Sequence, residues 1–279
     1  MKHRKTKRGK KVAWHLDDND WDRIEAVFPV QVIGSKGGRP QAKHRRVFEA
    51  LIWFARAGCP WEYMPKNFPF LEHLPTTLDR MGRARNFACH SPTSARFTGR
   101  GGQVANGGNF FGRNICSCKK RGENVGKTKA GKGSMIMSVV DGNGIPLNAE
   151  VESASTYEGH VAEKTIDGIS KRKHTKRQRK AIRLVPVRMI SDKGYDDDGL
   201  RERFAIKGID FIAPYRDNRV NRPHEDKRKL RRYCRRYKVE RTNSWFKNFR
   251  RVAVRWDRSL TLDKGFVKLA CIGITLRKF

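Results

Sequence analysis

The stretch YCRRYKVERTNSWFK, residues 233–247, lays two patterns on one predicted helix. Tyr233, Arg236, Glu240 and Lys247 follow the spacing Y-x2-R-x3-E-x6-K. At about 100° per residue, these four fall within roughly 60° of one another. Val239, Phe246 and Phe249 fall on the opposite side, where a core would lie. One helix thus buries an apolar face and presents a carboxylate flanked by two cations and a phenol. Such a set suits metal-dependent phosphate chemistry, with Glu holding a divalent ion and Arg and Lys gripping phosphate. Spacing alone leaves a second reading open, a charged surface helix with no site.

Three upstream stretches fit the first reading. ISDKGYDDDGL (190–200) follows a short apolar strand that delivers Asp192 at its end. GKTKAGKGSMIMSVVDGNGIPLNAEVESAS (126–155) reads as a hairpin turning at Asp141-Gly142-Asn143-Gly144. FARAGCPWEYMPKNFP (54–69) closes a helical N-terminal unit. With the spaced Tyr, Arg, Glu and Lys, these motifs resemble the DDE transposases of bacterial insertion sequences, the Tyr-Arg-Glu-Lys signature group. The resemblance covers most of the chain. It implies an α/β fold: a small helix-turn-helix-like domain followed by a ribonuclease-H-like mixed-sheet catalytic domain. It implies Asp192 and Glu240 as catalytic carboxylates and ligands of Mg²⁺, with Mn²⁺ as the substitute. Arg236 and Lys247 would meet phosphate, Tyr233 would place the DNA end, and Lys193 would also touch DNA. The implied partners are double-stranded DNA, as terminal inverted repeats and target, and further copies of the chain on paired ends.

Composition agrees with a polyanion partner. The chain has 279 residues and a formal net charge of +34. A charge that large points to nucleic acid, although ribosomal and chromatin-like proteins share it. No apolar run approaches the ~20 residues of a membrane span and no signal peptide is visible, so a cytoplasmic, nucleoid-associated protein is expected. Six cysteines without a regular framework fit a reducing compartment.

In chain order, residues 1–15 form a basic tail, and 16–71 a helical DNA-binding domain. Its first helix starts at Asp17 or Asp18, with Trp21, Ile24 and Phe28 as the apolar stripe. Arg39, in Gly37-Gly38-Arg39-Pro40, is a candidate for a minor groove. A second helix covers roughly 43–57 and stops at Gly58. The tryptophans here suit a core better than base contacts. Residues 119–279 form the catalytic domain. Asp141 reads as a turn residue rather than an acid catalyst. Asp196, Asp197 and Asp198 read as caps of the next helix rather than a metal cluster. Residues 215–232 read as a basic loop.

One stretch departs from the family pattern. A first catalytic aspartate should precede Lys119-Lys120-Arg121-Gly122, and counting back puts it at Gly112. No acidic residue lies between Asp79 and Glu123, and residues 72–118 read as aberrant and disordered. The stretch has the character of a segment translated out of register. NFFGRNICSCKK (109–120) can be encoded by codons that, read one base later, spell I-F-L-D-A-T-F-A-A-A-K. The same shift applied to EHLPTTLDRMGRA (72–84) permits S-T-C-R-R-R-L-T-E-W-E-E, similar to the family's next helix. Cys89-His90 with Cys116 and Cys118 imitates a zinc set, which an out-of-frame origin would make accidental. The expectation is therefore a transposase impaired at its first metal ligand, or, as the alternative, a decayed DNA-binding protein without catalysis.

Overall fold

The computed structural model describes residues 16–25, 43–65, 68, 73–83, 108–169, 187–221, 223, 224 and 226–276. The fold is mixed α/β, a seven-stranded sheet among the described residues with helices on both faces. Asp17 caps helix α1 (Asp18–Ile24), its Oδ1 accepting from the Asp20 N–H at 2.7 Å. Helix α2 (His44–Ala57) ends at Gly58, whose φ of 69° is the left-handed C-cap conformation that glycine adopts most cheaply. A 3₁₀ turn follows at Trp61–Tyr63, then helix α3 (His73–Arg83).

The strands are β1 (Asn109–Cys118), β2 (Gly126–Thr128), β3 (Gly131–Val140), β4 (Pro146–Ser153), β5 (Val187–Ile190), β6 (Ile209–Ile212) and β7 (Val254–Arg255). Along the sheet the order runs β2-β3-β1-β5-β6, with β4 also on β3 and β7 on β1. β3 is antiparallel to β1 and β4, whereas β1, β5 and β6 are mutually parallel. This is the ribonuclease-H-like arrangement expected of the catalytic domain. Helices α4 (Glu158–Asp167) and α5 (Asp198–Ile206) cover one face, supplying Val161, Ile166, Leu200 and Phe204 to its core. Asp197 caps α5 as expected, accepting from the Leu200 N–H at 3.0 Å. The other face carries α7 (Tyr237–Lys247), α8 (Arg250–Ala253) and α9 (Leu260–Leu276), preceded by α6 (Lys227–Tyr233).

Two expectations are corrected here. Residues 72–118 are not disordered throughout: both ends are regular, as α3 and β1. Leu74, Leu78 and Met81 of α3 are buried at helical spacing against α9. The Lys268 ammonium holds the Met81 and Gly82 carbonyls at 3.0 and 2.8 Å, closing the end of α3. β1 is the central strand, covered on both faces. Phe110 packs with Val140, Ile190 and Val239, and Phe111 with Met137, Tyr195 and Phe211 on the reverse side. Residues 84–107, with Cys89 and His90, lie outside the described residues. The basic run 215–232 is not all loop either. Asp226 accepts from the Arg228 N–H at 2.7 Å and starts α6, since Lys, Arg and Leu are good helix formers once capped.

The N-terminal helices do not form a core of their own. Val47, Leu51 and Phe54 of α2 and Leu74 and Leu78 of α3 share one apolar cluster with Phe246, Phe249, Phe266, Leu269 and Ile272. Trp21, Trp53 and Trp61 pack against that cluster, as expected for core aromatics. Phe28 and Arg39 lie outside the described residues.

Candidate active site

The signature stretch is not one straight helix. Tyr233 ends α6, a 3₁₀ turn follows at Cys234–Arg236, and Glu240 and Lys247 sit on α7. Tyr233, Arg236 and Tyr237 all keep right-handed helical backbone angles, so the polypeptide tightens without changing direction sharply. The expected apolar side is present: Val239, Phe246 and Phe249 are buried.

α7 is held to the sheet by polar contacts that the spacing alone does not announce. The Asn243 amide donates to the Arg113 carbonyl of β1 at 3.2 Å, and its Oδ1 accepts from the Ser138 hydroxyl of β3 at 3.2 Å. On the adjoining turn, the Thr242 hydroxyl donates to the Gly144 carbonyl at 2.5 Å and Arg241 to the Asn143 carbonyl at 2.9 Å. Asp141 plays the turn role expected of it, its Oδ1 accepting the Asn143 and Ile145 N–H groups at 2.8 Å each. Burial is the largest influence on this carboxyl and pushes its pKa above the usual range, against those hydrogen bonds.

This anchoring brings four predicted residues together. The Tyr233 hydroxyl donates to Asp192 Oδ1 at 3.3 Å. The Arg236 guanidinium lies 3.6 Å from Asp192 Oδ2 and 2.5 Å from Glu240 Oε1. One arginine therefore bridges the two carboxylates, and both acids remain open to solvent, at 47% and 55% side-chain exposure. The Tyr233 phenol is pushed up, first by burial and then by the Asp192 charge, while Arg236 pulls it down. Asp192 also caps its own 3₁₀ turn, accepting from the Lys193 N–H at 2.7 Å.

The remaining predicted residues are not in the cluster. Lys193 turns toward Asp217, with its ammonium 2.9 Å from the carboxylate, which raises its pKa. Lys193, Gly194, Arg216, Asp217 and Asn218 line an open depression beside Asp192. Lys247 is exposed two turns along α7 from Glu240, about 10 Å away.

Gly112 lies in β1 on the face toward α7. The parallel pairing of β1 with β5 matches Asn109 to Met189 and Phe110 to Ile190. Carried two residues further, that register sets Gly112 level with Asp192. A side chain at 112 would project between Val239 and Asn243, one residue and three residues from Glu240. Among the described residues, no group of three or more His, Cys, Asp or Glu side chains is gathered that could hold a metal ion. Two carboxylates sharing one arginine do not fit a two-ion centre, whose ions lie about 3.5–4 Å apart and need a bridging ligand. Cys116 and Cys118 are turned to the Ser134 carbonyl and hydroxyl, each at 3.4 Å.

Comparison with known proteins gives two family matches. The model described as "Transposase DDE domain" matches residues 93–272, and "Putative transposase of IS4/5 family" matches residues 16–87. A relative from Burkholderia cepacia, "Putative transposase for insertion sequence element IS402", is 29% identical over 157 residues, covering 54% of this chain and 67% of that protein. The "Putative transposase for insertion sequence element IS6501" of Brucella ovis is 30% identical over 144 residues, covering 51% of this chain and 97% of that protein. No solved structure matches. The first model spans more than half of the sequence, and the chain belongs to the DDE transposases of insertion sequences.

Proposed function

We propose that Asp192 and Glu240 are the surviving carboxylates of a metal-dependent phosphoryl-transfer site, and that this chain is impaired because Gly112 stands where a third would act. The observation that supports the reading is the place of Gly112 on β1, two residues past the Phe110–Ile190 pair, with its Cβ direction facing Val239 and Asn243 of the Glu240 helix. In the intact site, Mg²⁺, or Mn²⁺ in its place, would supply the charge that activates water for strand cleavage and then a 3′ hydroxyl for strand transfer. The chain's own groups do the rest. Arg236 would exchange its carboxylate contacts for a DNA phosphate, since a guanidinium binds either anion through the same planar donors. Tyr233, hydrogen-bonded to Asp192, would orient the DNA end. Lys247 would hold a phosphate farther along the duplex, and Lys193 and Arg39 are further DNA contacts. The DNA partners are the terminal inverted repeats and the target, bound by a homo-oligomer in the nucleoid-associated cytoplasm. No helix among the described residues is long and apolar enough to cross a membrane.

The reading-frame explanation for Gly112 belongs to the same proposal. A one-base shift across 72–118 would supply an aspartate at that position and, before it, a segment similar to the family's preceding helix. The test is nicking of a supercoiled plasmid carrying the element ends, with and without Mg²⁺. Three chains are compared: the present one, a frame-repaired one, and the repaired one with Glu240→Ala. Metal-dependent nicking by the repaired chain alone supports the proposal. Metal-dependent nicking by the present chain removes Gly112 from the argument, and nicking by the repaired chain that survives Glu240→Ala removes Glu240. DNA binding without nicking in all three favours the alternative, a decayed DNA-binding protein, which the two-carboxylate set also fits.

A further inference from the structure

We propose that residues 119–132, the β2–β3 hairpin and the turn leading into it, form a second DNA surface. It would grip the duplex backbone about 20 Å from the carboxylates, and it rests on the reading of Asp192 and Glu240 as the site that meets DNA. Lys119, Lys120, Arg121, Lys127, Lys129 and Lys132 are all exposed. None of them is in an ion pair among the described residues. The nearby acids are committed elsewhere: Glu123 accepts the Leu260 N–H at 3.0 Å, and Glu152 takes the Asn124 amide and the Lys164 ammonium. The charge of the hairpin is therefore uncompensated.

Its arrangement is more telling than its amount. Lys127 and Lys132 are direct cross-strand partners, each standing opposite the other. Like charges in that relation destabilise a hairpin, so this pair works against the isolated fold. A polyanion laid across it removes the penalty. The hairpin also lies on a line that starts at the carboxylates. α7 meets β1 beside Gly112 through Asn243 and follows the strand past Cys116, which shares the Phe246 cluster. The chain then returns through α8 to pair Val254 with Ser117. Lys247 and Arg250 are exposed along this path. From residue 112 to residue 118 a strand covers about 20 Å, or roughly six phosphates along one DNA strand.

The test measures affinity for an element-end duplex against salt concentration, by fluorescence anisotropy without divalent metal. The chain is compared with a Lys127→Gln, Lys132→Gln variant and with an Arg203→Gln, Lys207→Gln variant. The second pair also removes two charges, but from the end of α5, where both pair with Glu163 of α4. The hairpin variant should reduce the slope of log K against log salt by roughly 1.8, at about 0.9 per phosphate contact. The control should leave the slope within about 0.5 of the parent's. An unchanged slope in the hairpin variant, or an equal change in both, overturns the proposal. Lys127→Glu gives Lys132 an opposite charge, so its melting temperature should hold or rise while DNA affinity falls; a lower melting temperature would make the pair structural and overturn it too. The measurement needs neither metal nor cleavage, so a chain that never nicks DNA still decides this question.

Discussion

Placing an aspartate at Gly112 should turn this chain into one whose stability responds to Mg²⁺. The added Cβ meets the Val239 methyls at 3.2 and 3.3 Å and the Asn243 amide nitrogen at 3.7 Å. Val239 must give by a few tenths of an ångström, and overpacking of this kind costs about 1–3 kcal/mol. The new carboxylate also repels Asp192 and Glu240 until a cation joins them. Without metal, Gly112→Asp should therefore melt several degrees below the parent. A bound ion at 100 times its Kd stabilises the folded state by about 2.7 kcal/mol. For a fold of this size that is about 5–11 °C in Tm. The assay is thermal unfolding with 10 mM MgCl₂ or with EDTA, applied to the parent, Gly112→Asp, and Gly112→Asp with Glu240→Ala. Mg²⁺ should raise only the single variant. Equal Mg²⁺ responses in the parent and the single variant would refute the placement of the missing ligand at Gly112.

Two further expectations concern the face that carries α9. Gly265→Ala brings a Cβ within 2.5 Å of the Leu78 carbonyl and 2.8 Å of its side chain, so urea unfolding should show a loss of about 1–3 kcal/mol. If α3 were not docked there, the same change would stabilise α9 by up to ~1 kcal/mol, because alanine is the better helix former. Asp263 is fully buried, and burial pushes its pKa up to about 7, with Arg255 at 3.6 Å pulling the other way. A folded-state pKa above the unfolded one means that the native state binds the extra proton. The stability contributed by Asp263 is present at low pH and is lost as pH rises toward 7. Asp263→Asn should gain on the parent by up to ~1.4 kcal/mol per pH unit between about pH 4 and 7. Parallel stability–pH curves for the two chains would contradict this.

Much of the fold is legible in local chemistry. Asp17, Gly58 and Asp197 act as the caps their positions suggest, and the Asp141 turn reverses β3 into β4. The apolar side of α7 follows from the spacing of Val239, Phe246 and Phe249. Residues 72–118 mislead for two physical reasons. Leu74, Leu78 and Met81 do repeat at helical spacing, but Pro75, Gly82 and polar neighbours dilute the signal. β1 shows no alternation at its start because both faces are covered, so Phe110 and Phe111 are buried side by side. The site is legible only in part. Glu240 and Arg236 lie one helical turn apart, so their pairing follows from local geometry. Asp192 reaches Arg236 only through the parallel stacking of β5 on β1. Asn243 fixes α7 against β1 and β3 through contacts 130 and 105 residues distant in sequence, which no local pattern announces.

The burial of α9 has a consequence in time. Phe266, Leu269 and Ile272 complete the core of α2 and α3, yet they are synthesised about 200 residues after α2 ends. At about 5–20 residues per second, the N-terminal helices wait roughly 10–40 s for their partner. During that interval Val47, Leu51, Phe54, Leu74 and Leu78 have no α9 to cover them. The helical unit therefore reaches its final form only once α9 has been made, so its maturation is timed by a helix about 200 residues downstream.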